Sequence, residues 1–196
     1  MKIEKPKLQQ PIPDNAKKVF EGVIFDVYQW QQEMFDGSFA TFEKLKRSDT
    51  ANILAFTEDG KVIVLQQEQP HKGKFFSIPG GRVEEGETPE EGARREFLEE
   101  TGFEAESFEL WHSSQLVSKM DWMHYTFVAK GCRKVAEQNL DAGERIIVSL
   151  VEMEEFLEMI ITQKIKGSEF IMKFLKEDLL VIDKEKTFKK IKEYFN

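Results

Sequence analysis

The sequence predicts a mixed α/β (α+β) fold, on three observations. Its first third carries short apolar runs of strand texture separated by turn residues. One mid-chain helix has both ends written in the sequence, and the last quarter spaces its apolar residues as helices do.

Taken in order, residues 1–17 are polar and contain Pro6, Pro11 and Pro13, which predicts an extended arm. Residues 19–45 read as strands: "VFEGVIFDVYQW", a turn at Asp36–Ser38, then "FATFEKLKR". "ANILAF" and "KVIVLQQ" flank "TEDG", a hairpin signal. Residues 73–87 are glycine-rich and predict loop. The helix over 89–101 follows, with Thr88 as N-cap, Pro89 at the first helical position and Glu91 completing a capping box. Gly102 is placed to end it. "HYTFVAK" and "RIIVSLV" read as strands. "EMEEFLEMIITQKI", "GSEFIMKFLKED" and "KEKTFKKIKEYF" read as helices, the last showing a lysine-rich solvated face.

Composition narrows the function. A net charge of −8 argues against a surface that grips a nucleic-acid polymer. No run of apolar residues is long enough for a membrane span or a signal peptide. The single cysteine, Cys132, admits no internal disulfide and fits a reducing compartment as a small core residue. A cytoplasmic protein with neither membrane nor nucleic acid as partner is expected.

"RREFLEETGF" breaks local rules. Glu96, Glu99 and Glu100 crowd the last turns of the predicted helix, where the backbone already carries partial negative charge. Glu96 and Glu100 are also a like-charge pair four residues apart. At 100° per residue the three acids share about one third of the helix circumference, while Ala93, Phe97 and Thr101 form a separate stripe for packing. A solvated acidic face is the ordinary explanation of a charge run. A divalent cation held by hard oxygen ligands removes both penalties at once, and Mg²⁺ or Mn²⁺ suits such ligands. His112 and His124 lack ligand spacing and read as strand residues.

"GRVEEGETPEEGARREFLEETGF" resembles the Nudix box, with Gly81, Glu87, Arg95, Glu96, Glu99, Glu100 and Gly102 at its fixed positions. Seven such matches arise by chance about once in 10⁸ windows at ordinary residue frequencies. Phe97 and Phe103 stand where aliphatic residues are more usual. The resemblance implies a mixed β-sheet sandwiched between helices, and hydrolysis of a nucleoside diphosphate linked to another moiety, with Mg²⁺ or Mn²⁺. Carried over by position, Glu96, Glu99 and Glu100 are the metal ligands with the carbonyl of Gly80, and Arg95 pairs with Glu87. Gly81 and Gly102 shape the motif. The general base is left open among Glu96, Asp121 in "SKMDWMHY" and Glu144 in "DAGERI".

Outside the box, residues 18–180 resemble the ADP-ribose pyrophosphatase branch. That implies a small N-terminal β subdomain over 18–47 that joins a homodimer interface, and a hydrolase domain over 48–196 that includes the C-terminal helices. Two departures bear on substrate. Gln69 stands where the branch carries a phosphate-binding arginine, and Leu116–Lys119 lacks the branch's proline. A nucleoside diphosphate sugar, ADP-ribose or a relative, is the expected small-molecule substrate. The products are a nucleoside monophosphate and a sugar phosphate. Hydrolysis of nucleoside triphosphates or dinucleoside polyphosphates is the alternative, and an inactive nucleotide sensor is the alternative of another class. Arg47, Arg82, Gln69 and Glu144 are the expected substrate contacts, and one of Phe25, Tyr28 and Trp30 is a candidate base platform.

Overall fold

The computed structural model describes residues 8, 10–70, 72–166, 170, 173, 174, 177, 179 and 184–195. Strands β1 (Lys17–Glu21), β2 (Asp26–Glu33) and β3 (Phe39–Lys46) form an antiparallel meander. The predicted turn joins β2 to β3. Asp36 accepts from the Ser38 amide at 3.0 Å and its hydroxyl at 2.6 Å, and Gly37 takes a φ of 81°. A fourth strand, β10 (Met120–Asp121), joins this sheet parallel to β3 from far along the chain.

The larger sheet runs β12 (Arg145–Val151), β5 (Val62–Gln69), β4 (Thr50–Thr57), β11 (His124–Lys134), β8 (Phe103–Glu104). β6 (Lys72–Ser77) pairs with β5, β7 (Gly80–Arg82) with β4, and β9 (Ser107–Ser114) with β11. β4 and β11 are parallel while β5 and β12 are antiparallel, so the sheet is mixed.

Several features depart from the sequence reading, among them the helix read over 152–165, which ends at Ile161. Residues 73–87, expected as loop, include most of β6 and all of β7, because the edges of β5 and β4 supply backbone partners that local propensity does not encode. β9 had no strand signal, since its "SFELWHSS" lacks clean alternation, and pairing with β11 imposes it. The helix expected over 167–178 lies mostly outside the described residues.

β4 shows how the layers form. Ile53 and Ala55 face one way, against Ala93 and Phe97 of α1 (Pro89–Thr101). Leu54 and Phe56 face the other, against Phe156 and Leu157 of α2 (Met153–Ile161) and Ile191 and Phe195 of α3 (Lys184–Phe195). Alternation along a strand buries one set on each face, so helices cover the sheet on both sides as expected. α1 carries the predicted capping box, with Thr88 and Glu91 bonded in both directions, and Gly102 closes it in the left-handed region at φ 73°. Lys186, Lys189, Lys190 and Lys192 of α3 face out and Phe188, Ile191 and Phe195 face in. Among the described residues, no helix is long and apolar enough to cross a membrane.

Candidate active site

α1 packs Ala93, Phe97 and Thr101 into the core, which turns its other face toward β7 and the start of β4. A cleft of about 810 Å³ opens there. Glu96, Glu99 and Glu100 of α1 form one wall, and Gly80, Gly81 and Arg82 form another. Arg47, Gln69 and Glu144 line it too, so sites scattered through the sequence converge.

Arg95 organises the acids. Its Nε and Nη2 donate to the two oxygens of Glu87 at 2.8 and 3.0 Å, a bidentate pair. Nη2 also donates to the Arg82 carbonyl at 2.9 Å, and Glu87 accepts from the Glu84 amide at 2.9 Å. This ties the loop before the helix to the helix itself, as the resemblance implied. The Arg95 guanidinium holds the Glu87 carboxyl below the usual carboxylate range. Nη1 of Arg95 donates to Glu96 at 3.0 Å and Glu99 at 3.1 Å, a pairing not expected from the sequence.

Glu100 has no such cation among the described residues. It is 5% exposed and receives the Gly80 amide at 2.8 Å and the Gln67 amide at 3.4 Å. Burial pushes its pKa up to about 8, and neighbouring Glu96, Glu144 and Glu99 add to the rise. Burial also raises Glu96 despite Arg95. The helix end itself is satisfied by neutral donors. The Asn139 amide reaches the Glu99 carbonyl at 2.9 Å, and the Gln138 side chain reaches the Glu100 carbonyl at 2.5 Å. Those contacts also hang the segment carrying Asp141 and Glu144 over the acids.

The donors suit a hard dication. A Cβ on Gly81 would stand 2.5 Å from Glu96 Oε1, so the bare backbone lets that carboxyl lie where it does. Glu100 is a buried carboxylate whose charge no side-chain cation among the described residues offsets. As they stand, no three acidic, histidine or cysteine side chains among the described residues converge tightly enough to enclose an ion. Arg95 Nη1 sits between Glu96 and Glu99, and Glu99 must turn from it to join a ligand set.

Arg47 supplies the opposite charge. Its guanidinium stacks on Trp122 at 4.7 Å and on Phe25 at 5.6 Å, and its Nε is buried without a hydrogen-bond partner. Burial, then Arg82 nearby, lowers its pKa. Arg82 is itself paired with Glu84 at 2.9 Å. Phe25, one of the three aromatic candidates, lines the cleft; Tyr28 and Trp30 do not.

Asp121 is not brought to this cleft. It lies on β10, where its carbonyl accepts from the Arg47 amide at 3.2 Å, and the parallel pairing with β3 holds it in the smaller sheet. The sequence reading missed Gln67, Ser48, Asn139 and Asp141 among the lining residues. Period two along β5 places Gln67 on the same side as Gln69, which is the signal that finds it. The others sit on irregular segments with no such marker.

His124 is a strand residue, edge-on to Trp122 at 5.4 Å, with Nδ1 buried and unpartnered. Burial, then Arg47 and His112, lowers its pKa to about 4. A base depressed in the folded state takes up protons more readily when unfolded, so it costs stability as pH falls from about 6.5 toward 4. His124→Gln is therefore expected to lose about 1 kcal/mol less than wild type between pH 7 and pH 5 in urea unfolding, allowing for solvent screening. Equal losses in the two proteins would contradict this.

Residues 46–174 match the family model described as NUDIX domain. The chain is 29% identical over 154 residues to an ADP-ribose pyrophosphatase of Bacillus subtilis, covering 76% of this chain and 82% of that protein. It is 28% identical over 161 residues to a methanol dehydrogenase activator of Bacillus methanolicus, covering 80% and 86%. A crystal structure of an ADP compounds hydrolase shares the fold at a TM-score of 0.58 and 20% identity, covering 79% of this chain and 86% of that one.

Proposed function

The chain belongs to the Nudix family and is a Nudix hydrolase, and from that premise we propose that it cleaves the pyrophosphate bond of a nucleoside diphosphate sugar, ADP-ribose or a close relative, with Mg²⁺ or Mn²⁺. One observation carries the reading: the cleft sets a carboxylate wall, Glu96, Glu99 and Glu100, opposite an arginine, Arg47, that has no acidic partner among the described residues. A pyrophosphate needs both. The similarity to an ADP-ribose pyrophosphatase over most of the chain supports the choice of substrate class.

Glu96, Glu99, Glu100 and the Gly80 carbonyl would hold the ion. When bound, it would neutralise pyrophosphate oxygens and lower the pKa of a water molecule. Arg47, with Arg82 and Gln69, would take the remaining phosphate charge. Phe25, with Val23 and Ile24 beside it, offers an apolar edge for the base or sugar. Glu144 is favoured over Asp121 as general base because it lines the cleft, and Glu96 is the remaining candidate. A homodimer is supported by the exposed Val19, Phe20, Val23 and Ile24 of the smaller sheet and its following loop. A reducing cytoplasmic setting fits the buried thiol of Cys132, which burial pushes up to about 12.

The test is phosphate-product release with Mg²⁺ from ADP-ribose, ADP-glucose, GDP-mannose, diadenosine polyphosphates and deoxynucleoside triphosphates. Preference for the sugar compounds supports the reading. Preference for the triphosphates or dinucleoside polyphosphates replaces it, and tight binding without turnover points to a sensor. Arg47→Ala is expected to lower kcat/KM on the best substrate by about 10²-fold, or roughly 2.7 kcal/mol, mostly through KM. Lysine is not expected to restore it, since an ammonium lacks the planar fork that stacks between two rings. A substitution without effect on KM would remove Arg47 from the substrate site.

A further inference from the structure

Acids outnumber bases in this chain by 36 to 28, yet one groove reverses the balance. It has a volume of about 410 Å³ and lies between β6 and the turn that follows α2. Lys72 and Lys74 come from β6, Lys164 and Lys166 from the turn, and among the described residues no aspartate or glutamate lines it. A parallel bridge between Phe76 and Ile165 joins the two segments that carry the lysines. Ile165 is buried while the lysines on either side of it are exposed.

Elsewhere Lys18, Lys61, Lys134, Lys173 and Lys192 each have a carboxylate within 3.3 Å, while Lys44 and Lys130 donate to backbone carbonyls and Lys46 and Lys119 lie over aromatic rings. Among the described residues, none of the four groove lysines forms an ion pair. Lys72 Nζ lies 3.4 Å from the centroid of the Phe75 ring. The partial negative charge at the end of α2 accounts for Lys164, but not for two lysines on a strand. Four ammonium groups lining one groove offer a multivalent anion several point charges at once.

We propose that this groove is an anion site, separate from the catalytic cleft, that takes a small oligophosphate. The volume lies in the range of small-ligand sites. Lysines serve as point charges for phosphate and lack the fork that reads a base edge, so phosphate rather than base is what is recognised. The groove backs onto the cleft through a shared wall and shares none of its charged residues. Asn52 lines the groove and pairs with Gly80, and Ser77 lines it while accepting from Gln67 at 2.8 Å. This inference does not rest on the substrate proposed above.

Calorimetric titration of the full chain with inorganic tripolyphosphate, without divalent metal, tests it. One site is expected, weakened about tenfold between 50 and 300 mM salt, as screening of exposed charge requires. K74E/K164E is expected to weaken binding at least tenfold and leave turnover of whichever substrate the wild type hydrolyses best unchanged. R47A, which alters the cleft, is expected to bind tripolyphosphate as wild type does. K72A/K166A serves as a second variant should the charge reversal impair folding. The proposal is overturned by no binding in wild type, by lysine variants that bind normally, or by loss of binding in R47A. An oligothymidylate that binds through these lysines while tripolyphosphate does not would overturn the small-ligand assignment.

Discussion

Glu100→Gln is expected to lower kcat/KM by at least about 10³-fold, roughly 4 kcal/mol of transition-state stabilisation, while making the metal-free protein more stable. Both effects follow from one arrangement. Glu100 is almost fully buried, its polar contacts are two neutral N–H donors, and its neighbours Glu96, Glu144 and Glu99 are acids. A carboxylate so placed pays for its charge in the absence of a cation. Glutamine keeps the shape and an acceptor for the Gly80 amide but removes the charge, so stability rises by roughly 1–2 kcal/mol. For a chain of this length that is a rise in Tm of several degrees. Adding Mn²⁺ to wild type should raise its Tm as ligand binding to the folded state requires, and the variant should lose most of that rise. An active variant, or one less stable than wild type without metal, would show that Glu100 is an ordinary core polar residue.

Gly80→Ala is expected to cost about 3 kcal/mol or more of folding stability and to abolish turnover. Two independent obstacles add. The residue has φ 149°, which L side chains rarely adopt. Its new Cβ would run into the Ala51 carbonyl oxygen and stand 2.7 Å from the Asn52 Cα, both backbone atoms of the central strand β4. Backbone there has no free end to swing aside. Gly86→Ala is the control: its φ is 90°, but nothing lies within 4 Å, so only conformational strain of about 1 kcal/mol applies. Urea unfolding of the two variants separates steric conflict from backbone strain. Equal losses would mean that the β7 turn yields and that Gly80 does not pin the Glu100 amide contact.

Much of the site was legible because its chemistry lies in one continuous stretch. Glu96, Glu99 and Glu100 sit at the electrostatically wrong end of a helix whose start and stop are both written out, and Arg95 and Glu87 pair as the motif spacing implies. The choice between Asp121 and Glu144 was not legible. Both are acids in polar segments, and what separates them is strand pairing. Asp121 is drawn into the smaller sheet beside β3, whereas contacts of Gln138 and Asn139 with the end of α1 place Glu144 over the carboxylates. Asn139 and Asp141 were missed for the same reason. The tie between Arg95 and the metal-ligand candidates was hidden too, because arginine's reach to Glu96 and Glu99 depends on where Glu87 and the Arg82 carbonyl fix its guanidinium.

The sequence by itself determined the periodic and local features: the capped helix, its separate core and carboxylate faces, the β2–β3 turn, and the family. Each depends on residues a few positions apart, where side-chain type and backbone geometry decide the outcome. Tertiary structure alone decided that residues 73–87 include strands, that β10 leaves its neighbours for another sheet, that Arg47 is clasped between Phe25 and Trp122, and that four lysines share a groove. Those outcomes rest on backbone edges and surfaces from segments tens of residues apart, and they exist only once the sheet has closed around its core.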